Sequence, residues 1–210
     1  MYDPEEIRSE RRGRIKIMRT LLSGIVMATL ANAASAAETY KGYEMPPFEV
    51  VGRASGYELR AYEPHVLATV RIDGSLRSSA SAGFRTLAGY IFGGNAAGQK
   101  IAMTVPVQQV PVEEGYEISF MMPGRYALEA LPEPKSDDVR FERTEAARLA
   151  VSSFSGMPTN AVLRRHTAEL RDALARDGLT VVGGPRYAYY DDPFTLPWRR
   201  RNEVAFVIAE

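Results

Sequence analysis

The chain has no cysteine, and only two histidines and one tryptophan among its 210 residues. Without cysteine there is no disulfide, thiolate metal cluster, cysteine nucleophile or lipidated N-terminal Cys, so stability rests on the core alone. An excess of either charge is also missing. The 26 Lys and Arg balance 26 Asp and Glu, which removes the sustained positive field that nonspecific nucleic-acid binding needs, and no nucleic-acid partner is expected. The apolar run from Leu21 to Leu30 falls far short of the roughly 20 residues of a spanning helix. No G-x-S-x-G elbow, H-E-x-x-H pair, EF-hand loop or G-x-G-x-x-G behind a strand occurs, so hydrolase and dehydrogenase readings lose their usual support.

What is present is an average globular composition, 45% hydrophobic and 25% charged, in a length that suits one domain plus a targeting segment. From Met18 the chain reads as a secretory signal: Arg19, the apolar run, and small residues ending in Ala34-Ser35-Ala36. Residues 1–36 form the expected targeting segment, within which Met18 is an alternative start that would put 1–17 outside the translated protein. Arg11-Arg12 only partly resembles a twin-arginine export signal. The first 36 residues carry six Lys/Arg and four Asp/Glu, which leaves 20 basic and 22 acidic side chains and a formal charge of −2. The expectation is an exported, periplasmic domain with no stable membrane span after cleavage.

Beyond a lead-in at 37–54, apolar alternation marks strands at Tyr57–Ala61, Val66–Ile72, Ile101–Val107 and Ile118–Met122. Between the second and third, Leu76, Ala80, Gly83/Phe84, Leu87 and Ile91 recur at helical spacing up to Gly93-Gly94. The second half repeats the order. Strands fall at Val139–Phe141 and Leu149–Ser153, a helix capped by Asn160 carries Leu163, His166, Leu170 and Leu174, and strands follow at Val181–Tyr190 and Val204–Ile208. The fold class is therefore α+β: a distorted antiparallel β-barrel of about eight strands from two β-β-α-β-β repeats, with two long helices packed outside. The domain occupies 55–210.

Several residues invite a chemical reading. Gly93 to Lys100 brushes against a phosphate loop but joins a helix to a strand, the wrong order for an anion at a helix N-terminus. His166 lies on the apolar stripe of the second helix, no third ligand accompanies it, and no metal site is expected. His65 follows Pro64 at the start of a strand, where a turn can project imidazole into a pocket. Arg199 and Arg200 beside Trp198 suit bidentate binding of carboxylates. Met103, Met121 and Met122, with Tyr187, Tyr189 and Tyr190, read either as core or as the lining of a pocket for a flat ligand.

Four segments together, Gly56-Tyr-Glu-Leu-Arg-Ala-Tyr-Glu-Pro64, Gly83-Phe-Arg-Thr-Leu-Ala-Gly-Tyr-Ile-Phe-Gly-Gly-Asn95, Lys100-Ile-Ala-Met-Thr-Val-Pro-Val107 and Arg200-Arg-Asn-Glu-Val204, resemble the SOUL haem-binding proteins. The resemblance implies a distorted β-barrel of two similar halves that binds haem or another tetrapyrrole, non-covalently, on an apolar groove beside the first helix. The groove residues would be Phe84, Leu87, Ala88 and Ile91, with His65, Arg199 and Arg200 as further cofactor-binding candidates. This chain departs from the family at the proposed histidine ligand, which is Ala61. It departs again at the basic propionate clamps and the methionines of the first helix, which fall on Ser81, Gly89, Phe84 and Ala88.

Two functions of different class follow. The first is an exported scavenger, buffer or carrier of a tetrapyrrole or other flat hydrophobic ligand, without catalysis. The alternative is an enzyme that hydrolyses or modifies a hydrophobic small molecule in the same groove, with Glu203 as a buried general base whose competing role is a structural ion pair. A ligand-free interaction module is a third reading. Expression in a Gram-negative host should yield protein whose N-terminus is Ala37 or its neighbour; an intact mass showing only uncleaved chain contradicts the signal reading.

Overall fold

The computed structural model describes residues 38–209, so the expected targeting segment lies outside the described residues. A small hairpin, β1 (Thr39–Tyr40) and β2 (Tyr43–Glu44), precedes an open nine-stranded sheet in which every pairing is antiparallel. Its strands are β3 (Phe48–Ala54), β4 (Tyr57–Tyr62), β5 (Val66–Ile72), β6 (Val107–Pro111), β7 (Tyr116–Met121), β8 (Arg140–Arg143), β9 (Ala147–Phe154), β10 (Val181–Tyr189) and β11 (Asn202–Ile208). Helix α1 (Leu76–Ile91) follows β5, and α2 (Asn160–Arg176) follows β9.

The duplicated order expected from the sequence is present as β4-β5-α1-β6-β7 and β8-β9-α2-β10-β11. The halves are also interlocked. Strands lie in the order β3-β4-β9-β11-β10-β6-β7-β5-β8, so each half sends its first strand to the far side of the other half: β4 pairs with β9, and β8 with β5. Apart from β3 the order reads the same under exchange of halves, which places a pseudo-two-fold axis between β6 and β10. Neither half completes its own sheet, so neither can bury its apolar surface alone.

Alternation sets the layers, because successive strand side chains point to opposite faces. Val66, Ala68 and Val70 of β5 with Ile118 and Phe120 of β7 meet Leu87, Ala88 and Ile91 of α1 in one core. Ala150, Val204, Phe206 and Ile208 meet Leu163, Leu170 and Leu174 of α2 in a second. Both helices thus cover the same face of the sheet. Gln109, fully buried beside the axis, joins the halves: its Nε2 donates to the Leu76 carbonyl at 2.8 Å and its Oε1 accepts from the Tyr189 hydroxyl at 2.8 Å.

Local expectations need three corrections. The segment from Ile101 to Pro106 alternates yet is not a strand; it threads between two cores, with Ile101 in one and Val105 in another, and Pro106 has no N–H to give a ladder. The lead-in holds β1, β2 and the edge strand β3. The second helix is capped by Thr159, one residue before Asn160, through a hydrogen bond from the Val162 N–H to Thr159 Oγ1 at 3.3 Å.

At Gly83 the backbone of α1 packs directly on Ile118 of the sheet. A Cβ there would meet Ile118 Cγ1 at 2.4 Å and Ile118 Cβ at 2.6 Å. Gly83→Ala should lower stability by about 1–3 kcal/mol, the usual cost of overpacking, read as a lower urea midpoint. An unchanged midpoint would show that α1 is free to shift.

Candidate functional site

The face of the sheet opposite the helices encloses a cavity of about 310 Å³. Tyr62 of β4, Leu67 of β5, Gln108 of β6, Glu117 of β7, Glu142 of β8, Leu149 of β9, Ala188 of β10 and Ala205 of β11 all line it. Eight strands share one hollow, so the sheet curls into a cup. The register explains the selection: Leu67, Leu149, Val151, Ala205 and Val207 are the alternate partners of side chains that pack beneath the helices. Pro106 adds to the apolar wall, and Arg143 and Arg186 bring positive charge beside the carboxylates of Glu117, Glu142 and Glu145.

His65, just before β5, also lines the cup. Its Nδ1 lies 2.8 Å from the Glu63 carbonyl oxygen and 3.2 Å from Thr144 Oγ1. The carbonyl can only accept, which fixes the proton on Nδ1 and leaves the lone pair on Nε2. No hydrogen bond uses Nε2, and no buried side-chain nitrogen or oxygen among the described residues lacks a partner, so Nε2 is open to an incoming ligand. Burial first, with Arg186 adding to it, holds the imidazole pKa below its ordinary 6.5, while the Glu63 contact opposes the shift. The ring is therefore neutral at physiological pH.

At the other end of the cup sits a saturated ion network. Glu203 on β11 is 2% exposed. Its Oε1 accepts from Arg60 Nη1 at 3.1 Å, Ser153 Oγ at 3.0 Å and Arg201 Nη2 at 2.7 Å, and its Oε2 accepts from the Tyr190 hydroxyl at 2.8 Å. Burial opposes the charge of Arg60, but Glu203 and then Tyr62 outweigh it, and the guanidinium is held above its ordinary value. Burial, reinforced by Glu203, likewise raises the Tyr190 phenol, which stays protonated and donating. A carboxylate so fully engaged has no lone pair free to take a proton from a substrate, so the geometry assigns Glu203 a structural role rather than that of a general base. Glu117 differs: burial and then the neighbouring charge of Glu142 push its carboxyl above the usual range, although Arg186 opposes them.

The other candidates do not converge on one site. Leu87, Ala88 and Ile91 are buried between α1 and the sheet, whereas Phe84 is 41% exposed and packs edge-on against Phe120 at 5.4 Å. A ligand cannot touch Leu87 or Ile91 unless the helix lifts. Arg200 is spent on the carbonyls of Thr195 and Pro193, and neither it nor the exposed Arg199 lines the cup. His166 stacks on Phe154 at 4.1 Å and pairs through Nδ1 with Glu169 at 3.1 Å, which is packing. Met121 and Met122 are core. The Gly93–Lys100 segment is a turn ordered by buried Asn95, whose Nδ2 donates to the carbonyls of Tyr90 and Gln99. Alternation on β5, β9 and β11 already contained the cup's wall, but only the order of strands in the sheet reveals which apolar faces meet.

Arg60→Ala would leave Glu203 buried with reduced compensation and should cost about 3 kcal/mol of stability, the scale for breaking a buried ion pair. A urea midpoint within error of the parent would show that Arg201 alone satisfies the carboxylate.

Comparison with known proteins agrees with this architecture. Residues 43–207 match the family model described as "SOUL heme-binding protein". Mouse (Mus musculus) "Heme-binding protein 1" is 30% identical over 161 residues, covering 73% of this chain and 84% of that protein. Human (Homo sapiens) "Heme-binding protein 2" is 32% identical over 183 residues, covering 82% and 86%. Among solved structures, the EcmrR C-terminal domain shares the fold with a TM-score of 0.51 at 13% identity, covering 73% of this chain and 98% of that one. A structure described as a hydrolase from Listeria innocua does so with a TM-score of 0.52 at 12% identity, covering 76% and 94%. With two interlocked halves, the signature blocks joined through Arg60 and Glu203, and a family match across most of its length, this chain belongs to the SOUL haem-binding protein family.

Proposed function

We propose that this protein is an exported, non-enzymatic carrier of haem or a related tetrapyrrole, held non-covalently in the cup. Family membership supports the ligand class, as do the names of the mouse and human relatives. The observation that carries the reading is the accessible Nε2 of His65 on the wall of a cup whose floor offers an apolar patch of Leu67, Leu149, Val151, Ala205 and Val207 among charged residues. Export rests on the Ala34-Ser35-Ala36 pattern.

The residues fit such a ligand. Leu67, Leu149, Val151, Ala205 and Val207 offer the apolar face that a macrocycle needs, and Arg143 and Arg186 suit carboxylate side groups. Haem iron accepts a neutral imidazole as axial ligand. His65 would supply it, with the Glu63 carbonyl fixing its tautomer and orientation. The cup is open on one side, so a ligand larger than the enclosed 310 Å³ keeps part of its surface outside. This reading moves the binding surface from the helix face of Phe84 and Leu87 to the opposite side of the sheet.

Haemin titration followed by the Soret band tests it. The parent should bind; His65→Ala should shift the band maximum and weaken binding about tenfold or more, and Ala188→Trp, which fills the cup, should weaken it further. Phe84→Asp should leave the titration unchanged. Loss with Phe84→Asp and parity for the two cup variants would return the site to α1. Because the folded-state pKa of His65 is depressed, protonation competes only below 6.5. Binding should therefore be flat above 6.5 and fall as pH drops through the lowered value. A decline that begins above 7 would implicate another group.

A further inference from the structure

Four of the nine large apolar side chains that stand exposed among the described residues, the two most exposed included, gather on two loops outside the lining of the cup. Phe194 is 93% exposed, Trp198 69%, Met157 50% and Leu196 47%. Isolated surface hydrophobes need no explanation, but a cluster of this size marks a contact surface. The loop between β10 and β11 and the one between β9 and α2 are stitched together: the Gly156 N–H donates to the Pro197 carbonyl at 2.9 Å, and Arg200 Nη1 lies 3.2 Å from Met157 Sδ.

The tip is also braced from within. Asp192 Oδ1 accepts the N–H groups of Phe194 at 2.7 Å and Thr195 at 2.9 Å, and Arg200 donates to the carbonyls of Thr195 and Pro193 at 2.7 and 2.6 Å. A loop so thoroughly ordered by its own polar groups keeps its aromatics in water without a burial gain within the domain. Ordering in advance lowers the entropic cost of a later contact.

We infer that this braced tip is a docking surface for an anionic lipid bilayer, with Phe194, Leu196 and Trp198 entering the interfacial layer, Arg199 facing lipid phosphates and Arg200 adding its charge from within the brace. Composition and charge favour a bilayer over a protein. Tryptophan and phenylalanine beside arginine suit the headgroup boundary. Asp191 is paired with Lys41 and Arg201 with Glu203, so the tip keeps the two positive charges of Arg199 and the carbonyl-bound Arg200 against the lone charge of Asp192. Projecting loop side chains offer no sheet edge for strand addition and no groove for a helix. Attachment would be peripheral, since no helix of the described residues is long and apolar enough to cross a membrane. The inference is independent of what the cup holds.

Trp198 is the chain's one tryptophan, so its fluorescence reports on this tip and nothing else. Full-length protein is mixed with vesicles of phosphatidylglycerol and phosphatidylcholine, or of phosphatidylcholine alone. With the anionic vesicles the emission should move to the blue, be quenched by brominated lipid chains, and partly revert in high salt. The Phe194→Ser, Leu196→Ser double variant, which keeps Trp198, should partition about tenfold less, while its haemin titration stays that of the parent. Emission unchanged while the chain sediments with vesicles would place attachment on another segment and overturn the inference. So would parity of the double variant, or unchanged emission with no sedimentation, which would point to a protein partner for the tip.

Discussion

The buried ion pair between Arg60 and Glu203 is the constraint on which the rest of the cup depends. Arg60 lies on β4 and Glu203 on β11, with β9 between them contributing Ser153 to the same carboxylate. A one-residue slip of β4 or β11 would send a charge into the core beneath α2, at a cost far above that of a mispaired apolar residue. The pair thus fixes register across the junction where β4, a strand of the first half, is taken into the sheet of the second. Such a pair adds little net stability compared with apolar packing, and its effect here is on which arrangement forms.

Exchange of first strands between halves then explains the shape. Each half has a helix over one face and leaves the other bare, and the interlocked sheet turns both bare faces toward one hollow. The two ends of that hollow differ in chemistry. One is closed by the saturated network of Glu203, Arg60, Arg201 and Tyr190. The other holds His65, Arg143 and Arg186 with unfinished hydrogen-bonding capacity, beside a Glu117 that burial and Glu142 push toward its neutral form. The proposed recognition thus draws on the His65 end, while the Glu203 end supplies rigidity.

Most of this fold was legible in the sequence, because both helices and seven of the expected strands follow from apolar spacing that tertiary packing uses directly. β3 escaped for a physical reason: it is an edge strand with no fully buried side chain, so its alternation of half-buried Phe48, Val50 and Gly52 with exposed Glu49, Val51 and Arg53 carries little apolar signal. The site was less legible. Helical spacing identified Leu87 and Ile91 as apolar without telling whether they face a ligand or the sheet, and packing uses them for the sheet. The pairing of Arg60 with Glu203 spans 143 positions, which no local pattern reveals, although both sit in the blocks that carry the family resemblance. His65 was visible as a candidate, but the accessible Nε2 depends on the Glu63 carbonyl two residues earlier.

The proposed ligand surface is the cup, not the helix face. Paramagnetic line broadening of amide NMR signals by iron(III) haemin measures this directly, because it reports nearness to the metal residue by residue. The account predicts that signals of Leu67, Thr144, Ala188 and Ala205 vanish while those of Ser81, Arg85 and Gly89 on the outer side of α1 persist. Broadening confined to the α1 residues, with the cup signals intact, would contradict it.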